Sequence, residues 1–388
     1  MNGPRVVTEL RGITWDHPRG LDPLVALGPQ SGPAGDLVVT WSARTLQAFA
    51  DHPLEQLVDE YDLLVIDHPH IPLAAGADLL VPLDGEPRRS DELAALAAQS
   101  IGGSHESYRH DGHQWALAID AAAQVSVHRP DLIADAPVTW DGVLELAGEG
   151  KVRWAGKPVD AMSSFLTLTA QAGSPVCTAG EGLVDREPGL AVLELLHRLA
   201  ERVGGSCLRD NPIDVAEALA DSDQWCYAPL VFGYANYSRP SFRPGRLAYR
   251  DIPAGRREVA GSCLGGAGIA VSARSPGRDA GVAYAFWLAS SLVQRGSYYW
   301  AGGQPANALA WEDEAINADS LDFFVGTRAT LDGASTRPRH AGWMALQERV
   351  GELVHAALLG ETSDEACLDA LDAEAERLVP PEERGGRG

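Results

Sequence analysis

The sequence predicts an α/β fold in two lobes, each a sheet flanked by helices. Three observations carry this. The chain has 388 residues, more than one ordinary hydrophobic core organises. Short apolar runs that read as strands alternate with helical patterns, the signature of a parallel sheet covered by helices. Each apolar run stops abruptly at a polar or glycine-rich turn.

The elements follow in chain order. VVTELRGITW (6–15) reads as a strand, and after a Pro/Gly turn LDPLVALG starts a helix. DLVVTW (36–41) is a second strand and TLQAFADHPLEQLVDE is helical. YDLLVIDHP (61–69) is a third strand, ended by Pro69, which cannot continue a ladder. WALAIDAAAQVSVHRPDLI (115–133) is a long extended run with a break at Ala121–Ala123. TWDGVLELAGEG (139–150) begins a helix with Thr139 or Asp141 as N-cap. LAVLELLHRLAERVGG (190–205) is an amphipathic helix closed by Gly204–Gly205. DVAEALADSDQWCYAPLVFGYANYSRP (214–240) passes from helix to strand to an aromatic loop. DAGVAYAFWLASSLVQRG (279–296) reads as one buried helix, 338–378 as further helices, and the tail 380–388 as disordered.

Composition narrows the function. The formal charge is −23, from 31 basic and 54 acidic residues, which argues against nucleic acid. Local arginines can still select a small anion. No apolar run reaches the length of a membrane span, so no membrane insertion is expected. The first twenty residues show neither an export signal nor a lipid-attachment cysteine. As it stands the chain reads as cytoplasmic, or as periplasmic or extracellular if a signal was removed. Five cysteines occur without a CxxC. Free buried thiols are expected, with a Cys207–Cys226 bridge as the alternative in an oxidising compartment.

In an open parallel sheet, ligands bind outside the carboxyl ends of the strands. That makes Trp15, Asp16 and His17, then Trp41 and Arg44, then Asp67, His68 and His70 candidate contacts. Trp15 and Trp41 fit a lobe core equally well. His68-x-His70 and His110-x-x-His113 invite a metal reading, but a metal needs several converging ligands. Pro69 interrupts the first pair and the second lies in a polar turn, so no metal and no cofactor are expected. Gly265-Gly266-x-Gly268 precedes the apolar run GIAVS rather than a helix, the wrong context for a dinucleotide loop. Its glycines allow a tight crossing or a close backbone approach to a ligand. Beyond the apolar part of 226–232, Tyr234, Asn236 and Tyr237 offer aromatic faces and hydrogen-bonding groups suited to sugars or rings. Asp120 ends the run ALAID, free to accept sugar hydroxyls or to pair with Arg44 or Arg19, with Gln124 as its neutral neighbour. Arg328, Arg337 and Arg339 read as surface charges.

Four segments in fixed order, DLLVIDHPHIPLAAGADLLVPLD (62–84), DGHQWALAIDAAAQVSVHRPDLI (111–133), GSCLGGAGIAVSARSP (261–276) and AGGQPANALAWED (301–313), together resemble the family 1 extracellular solute-binding proteins. These are the ligand-capture components of ABC importers, often carbohydrate-specific. The resemblance implies a type II periplasmic-binding-protein-like fold whose chain crosses between lobes more than once. It implies a first lobe of 1–121 with 262–311 and a second of 122–261 with 312–388. It also implies a monomer that closes around a small polar solute and docks on an ABC permease. Gly302-Gly303-Gln304-Pro305 resembles the family's glycine-proline turn near the ligand, which adds Gln304 to the candidates. The rival reading is a cytoplasmic enzyme on the same fold. His17, His68, His70, Asp67 and Asp120 would then supply metal-free acid–base chemistry of lyase, isomerase or hydrolase type.

Overall fold

The structure is a computed structural model that describes residues 7–32, 35–51, 53–176, 182–254 and 259–379. Cys177 and the tail 380–388 lie outside them. The chain forms two compact units. Unit 1 comprises the residues up to Ala121 together with Gly265–Ile316, and unit 2 comprises Ala122–Leu264 together with Asn317 onward. The sequence-based boundaries at 261/262 and 311/312 fall a few residues before the observed ones at 264/265 and 316/317.

The strands among the described residues are β1 (Val7–Trp15), β2 (Pro29–Gly32), β3 (Gly35–Arg44), β4 (Leu63–Ile66), β5 (Arg109–His110), β6 (His113–Gln114), β7 (Leu117–His128), β8 (Tyr227–Phe232), β9 (Ala248–Arg250) and β10 (Leu264–Val271). In unit 1, β1 lies between β3 and β4 and runs parallel to both. The outer strand β2 is antiparallel to β3, and β10 is antiparallel to β4, with β7 beyond it. The four residues of β4 are wholly buried, as expected of an apolar strand covered on both faces. One side of this sheet packs Leu10, Val39, Leu24 and Tyr284. The other packs Ile13, Leu64, Ile66 and Leu57. His110 and His113 face each other in the β5–β6 hairpin.

In unit 2, β7 pairs antiparallel with β8 and β9. Around them pack the helices Pro158–Gln171, Arg186–Val203, Trp343–Leu358 and Asp364–Leu378. Their buried faces share one core containing Trp154, Phe165, Leu193, Leu196 and Trp343. Thr139, rather than Asp141, caps the helix Trp140–Gly148 by accepting a hydrogen bond from the Gly142 amide. Gly204, at φ 97°, ends the helix Arg186–Val203, a backbone conformation open to glycine.

Several expectations are corrected. β7 is a continuous strand of 12 residues, without a break at Ala121–Ala123. These alanines are fully buried, and enclosure overrides their weak strand propensity. Gly265, Gly266 and Gly268 lie inside β10 rather than ahead of a strand. The stretch 279–296 is not one helix. The helix Arg278–Ala289 ends where Ser290 turns extended, and a π turn at Gln294–Tyr298 follows, with Gly296 at φ −104°, ψ −109°. In line with expectation, Cys207 and Cys226 are free buried thiols, as are Cys263 and Cys367. Arg337 is buried rather than on the surface.

Two predictions follow from the core of unit 2. Leu193, fully buried in its helix, should cost about 2–5 kcal/mol on truncation to alanine. Equilibrium denaturation should show a lower midpoint at an unchanged slope. Asp160, in the first turn of Pro158–Gln171, is pushed up to about 8 by burial, with Lys157 opposing and Asp214 adding to the rise. The folded state therefore holds a proton there that the unfolded chain releases near 3.8. This contribution to stability is complete at low pH and is lost as pH rises toward 8. The melting midpoint should fall more steeply between pH 5 and pH 8 in the native protein than in Asp160→Asn.

Candidate functional site

Unit 1 gathers candidate groups at the carboxyl ends of its three parallel strands. The register sets Trp15 beside Arg44, and the Asp16 amide donates to the Arg44 carbonyl at 2.7 Å. His17 follows directly. Its Nδ1 accepts from the Arg19 amide at 3.0 Å and caps the helix Pro18–Leu27, so its buried ring is held by the backbone. After β4, Asp67 accepts from the His68 amide at 2.8 Å and caps the turn His68–His70. Pro69 sits inside this turn with its φ already suited to it. The His68 ring meets Tyr108 edge-on, its Nδ1 lies 3.2 Å from Asp67, and both His68 and His70 are buried. Tyr108 is fixed in turn by a hydrogen bond to the Ile66 carbonyl.

The tryptophans divide. Trp15 belongs to the core, packed on Phe49 at 5.1 Å between ring centres. Trp41 is half-buried and lies over Gly12, where an added Cβ would come within 2.5 Å of the indole. Arg44 stacks on Phe49 at 5.6 Å. Its Nε, Nη1 and Nη2 are all buried and have no hydrogen-bond partner among the described residues.

Asp120 chooses Arg19 rather than Arg44. Arg19 Nε donates to one carboxylate oxygen at 2.7 Å and Nη2 to the other. Both residues are buried. Burial pushes the carboxyl upward and Arg19 pulls it back. The fork ties Asp120 of β7 to the helix Pro18–Leu27 within unit 1. Beside it, Gln304 donates to the Ala121 carbonyl at 2.8 Å, and Pro305 bridges to Asp120. Gly266 has φ 110°, and a Cβ there would stand 2.3 Å from the Asp120 carbonyl oxygen. Only glycine lets the two strands approach in this way. Gly265, next to it, is half-buried.

Unit 2 carries the aromatic turn after β8. Tyr234, Asn236 and Tyr237 are buried in and beside the short turn Ala235–Ser238. Tyr237 donates its hydroxyl to Glu217 at 2.7 Å and packs edge-on against Phe242 and Tyr234. Arg243 clamps Glu217 from the other side. Gln124 is fully engaged, accepting from Thr167 at 2.7 Å and donating to Ser164 at 3.2 Å. Sequence reasoning missed Tyr108, Glu217 and Thr167, whose partners lie 42, 20 and 43 positions away. Among the described residues no group of three or more His, Cys, Asp or Glu side chains could hold a metal.

The ion pair makes a sharp prediction. Asp120→Ala should destabilise the protein by about 3–5 kcal/mol, because it strands the Arg19 guanidinium in a buried site. Urea titration of the two proteins measures it.

The chain matches no protein-family model and no curated protein. Its fold has solved counterparts. The maltose-bound MalE3 of T. maritima superposes with a TM-score of 0.80 at 20% identity, covering 96% of this chain and 100% of that one. The GacH receptor of Streptomyces glaucescens, solved unliganded and with acarbose, gives 0.79 at 17%, covering 96% and 99%. An ABC transporter solute-binding protein from Thermotoga lettingae, bound with α-D-tagatose, gives 0.80 at 16%, covering 96% and 100%. The chain therefore has the type II periplasmic-binding-protein-like fold shared by these ABC-transporter solute-binding proteins.

Proposed function

We propose that the protein captures a carbohydrate or polyol, as the solute-binding component that serves an ABC permease. The observation that carries this reading is the full-length fold likeness to proteins solved with maltose, acarbose and tagatose. The side chains suit that chemistry. Unit 1 offers His17, Trp41, Arg44, Asp67, His68 and His70 around the ends of its parallel strands, and unit 2 offers Tyr234, Asn236 and Tyr237 after β8. Aromatic faces with a few polar groups are the usual equipment of a sugar site. Binding would draw the two units together in a hinge closure, a population shift driven by ligand preference for the closed form. The monomer is the working state in this reading. Among the described residues no helix is long and apolar enough to cross a membrane.

The enzyme reading is the weaker one. It counted Asp120 among its acid–base groups, and both oxygens of Asp120 are bound by Arg19. His17 spends its Nδ1 on a helix cap.

The test is a thermal-shift screen against neutral, acidic and phosphorylated mono- and oligosaccharides and polyols, since a ligand specific to the folded state raises its midpoint. For the best binder, His68→Ala and Tyr234→Ala should each weaken affinity by about 10–100-fold, the scale of one to two good contacts. Far-UV spectra should stay close to that of the native protein, whereas the apo midpoints should fall because both side chains are buried, so affinities are compared well below the variants' midpoints. A screen with no binder, or variants that bind as the native protein does, would contradict the reading.

A further inference from the structure

Arg44, on the unit 1 face, is a group whose chemistry is left open. Its three guanidinium nitrogens are buried and unpartnered among the described residues, although the side chain as a whole is only half-buried. Two other buried arginines, by contrast, are well engaged. Arg19 forks onto Asp120, and Arg129 binds Asp131, Asp223 and the Leu219 carbonyl. A buried guanidinium with no acceptor is costly. Desolvation shows in its acidity, pushed down to about 10, with Tyr61 opposing weakly. The guanidinium carbon of Arg44 lies over the Phe49 ring at 5.6 Å. Arg44 stands at the carboxyl end of β3, in register with Trp15 and beside the backbone of Asp16. That is the ligand end of a parallel sheet.

We propose that Arg44 is an anion-recognising group of the ligand site, so that the solute is an acidic sugar carrying a carboxylate or a phosphate. This rests on the carbohydrate reading and narrows it. A planar fork with free N–H donors matches the two oxygens of a carboxylate or phosphate. A neutral hydroxyl would satisfy one donor and leave the charge uncompensated. The net charge of −23 repels such a solute at long range. That field is screened beyond roughly 8 Å at physiological salt, so selection is made at contact by the desolvated cation. Added salt should accordingly speed association.

Titration calorimetry tests this with matched sets: D-glucose, D-glucuronate and glucose 6-phosphate, and the same three in the galactose series. The native protein should bind at least one acidic member about 10-fold or more tighter than its neutral congener, the yield of one charge-assisted pair. The carboxylate and phosphate arms identify which anion is meant. In Arg44→Gln the ratio of acidic to neutral affinity should fall to about one, whatever the change in neutral-sugar affinity. If the glutamine variant does not fold, Arg44→Lys serves, and its loss of the fork should reduce the preference. Equal binding of neutral and acidic members, or a preference that survives in the variants, overturns the proposal and leaves the carbohydrate reading standing. If no sugar of any kind binds, that reading falls. Arg44 is then judged by inorganic phosphate and acetate alone, which must raise the melting midpoint of the native protein and not of Arg44→Gln; a null result there overturns the anion site as well.

Discussion

The buried ion pair between Arg19 and Asp120 is the constraint on which unit 1 depends. Arg19 lies in the first helix and Asp120 in β7, so the pair ties the start of the chain to the strand that leaves the unit. Removing two charges from water is expensive, and only the bidentate geometry offsets it. Around the pair the backbone is fixed without tolerance. Gly266 presses on the Asp120 carbonyl, Gln304 holds the Ala121 carbonyl, and the Tyr298 ring feels both charges. Three segments distant in sequence thus converge on two residues of β7. With that strand pinned, β10 and β4 can stack beside it and β1 and β3 can present their carboxyl ends.

Much of this was legible in the sequence. The three parallel strands β1, β3 and β4 follow from apolar runs alternating with helical patterns, and the stop after β4 is written in Pro69. Thr139 and Gly204 announce their helix ends through local chemistry alone. Failures occur where burial decides. Ala121–Ala123 look like an interruption because alanine favours strands weakly, yet enclosure settles the matter. Gly265 and Gly266 look like a loop, yet they are strand residues chosen for close approach. Arg337 is buried for reasons of tertiary packing that no local pattern records, whereas Cys207 and Cys226 are the free buried thiols expected.

The candidate site was read less completely than the fold. His17, Arg44, Asp67, His68 and His70 do stand at or after the ends of β1, β3 and β4, but the pattern does not tell what each bonds to there. His17 and Asp67 spend part of their bonding capacity on turns, Trp15 on the core and Gln124 on Ser164 and Thr167. Such commitments depend on partners remote in sequence. Arg44 shows the converse. Its significance lies in lacking a partner among the described residues, which only coordinates reveal.

A fold of this kind hosts more than one activity, and the difference between holding a sugar and converting it is chemical. Asp120, a carboxylate on which acid–base chemistry would draw, is locked by Arg19. The most direct measurement is proton NMR of a saccharide mixture incubated with the native protein. The account predicts selective line broadening of one saccharide, whose resonances stay unchanged in identity over a day. Resonances of a new product would contradict it, as would a mixture in which no saccharide broadens.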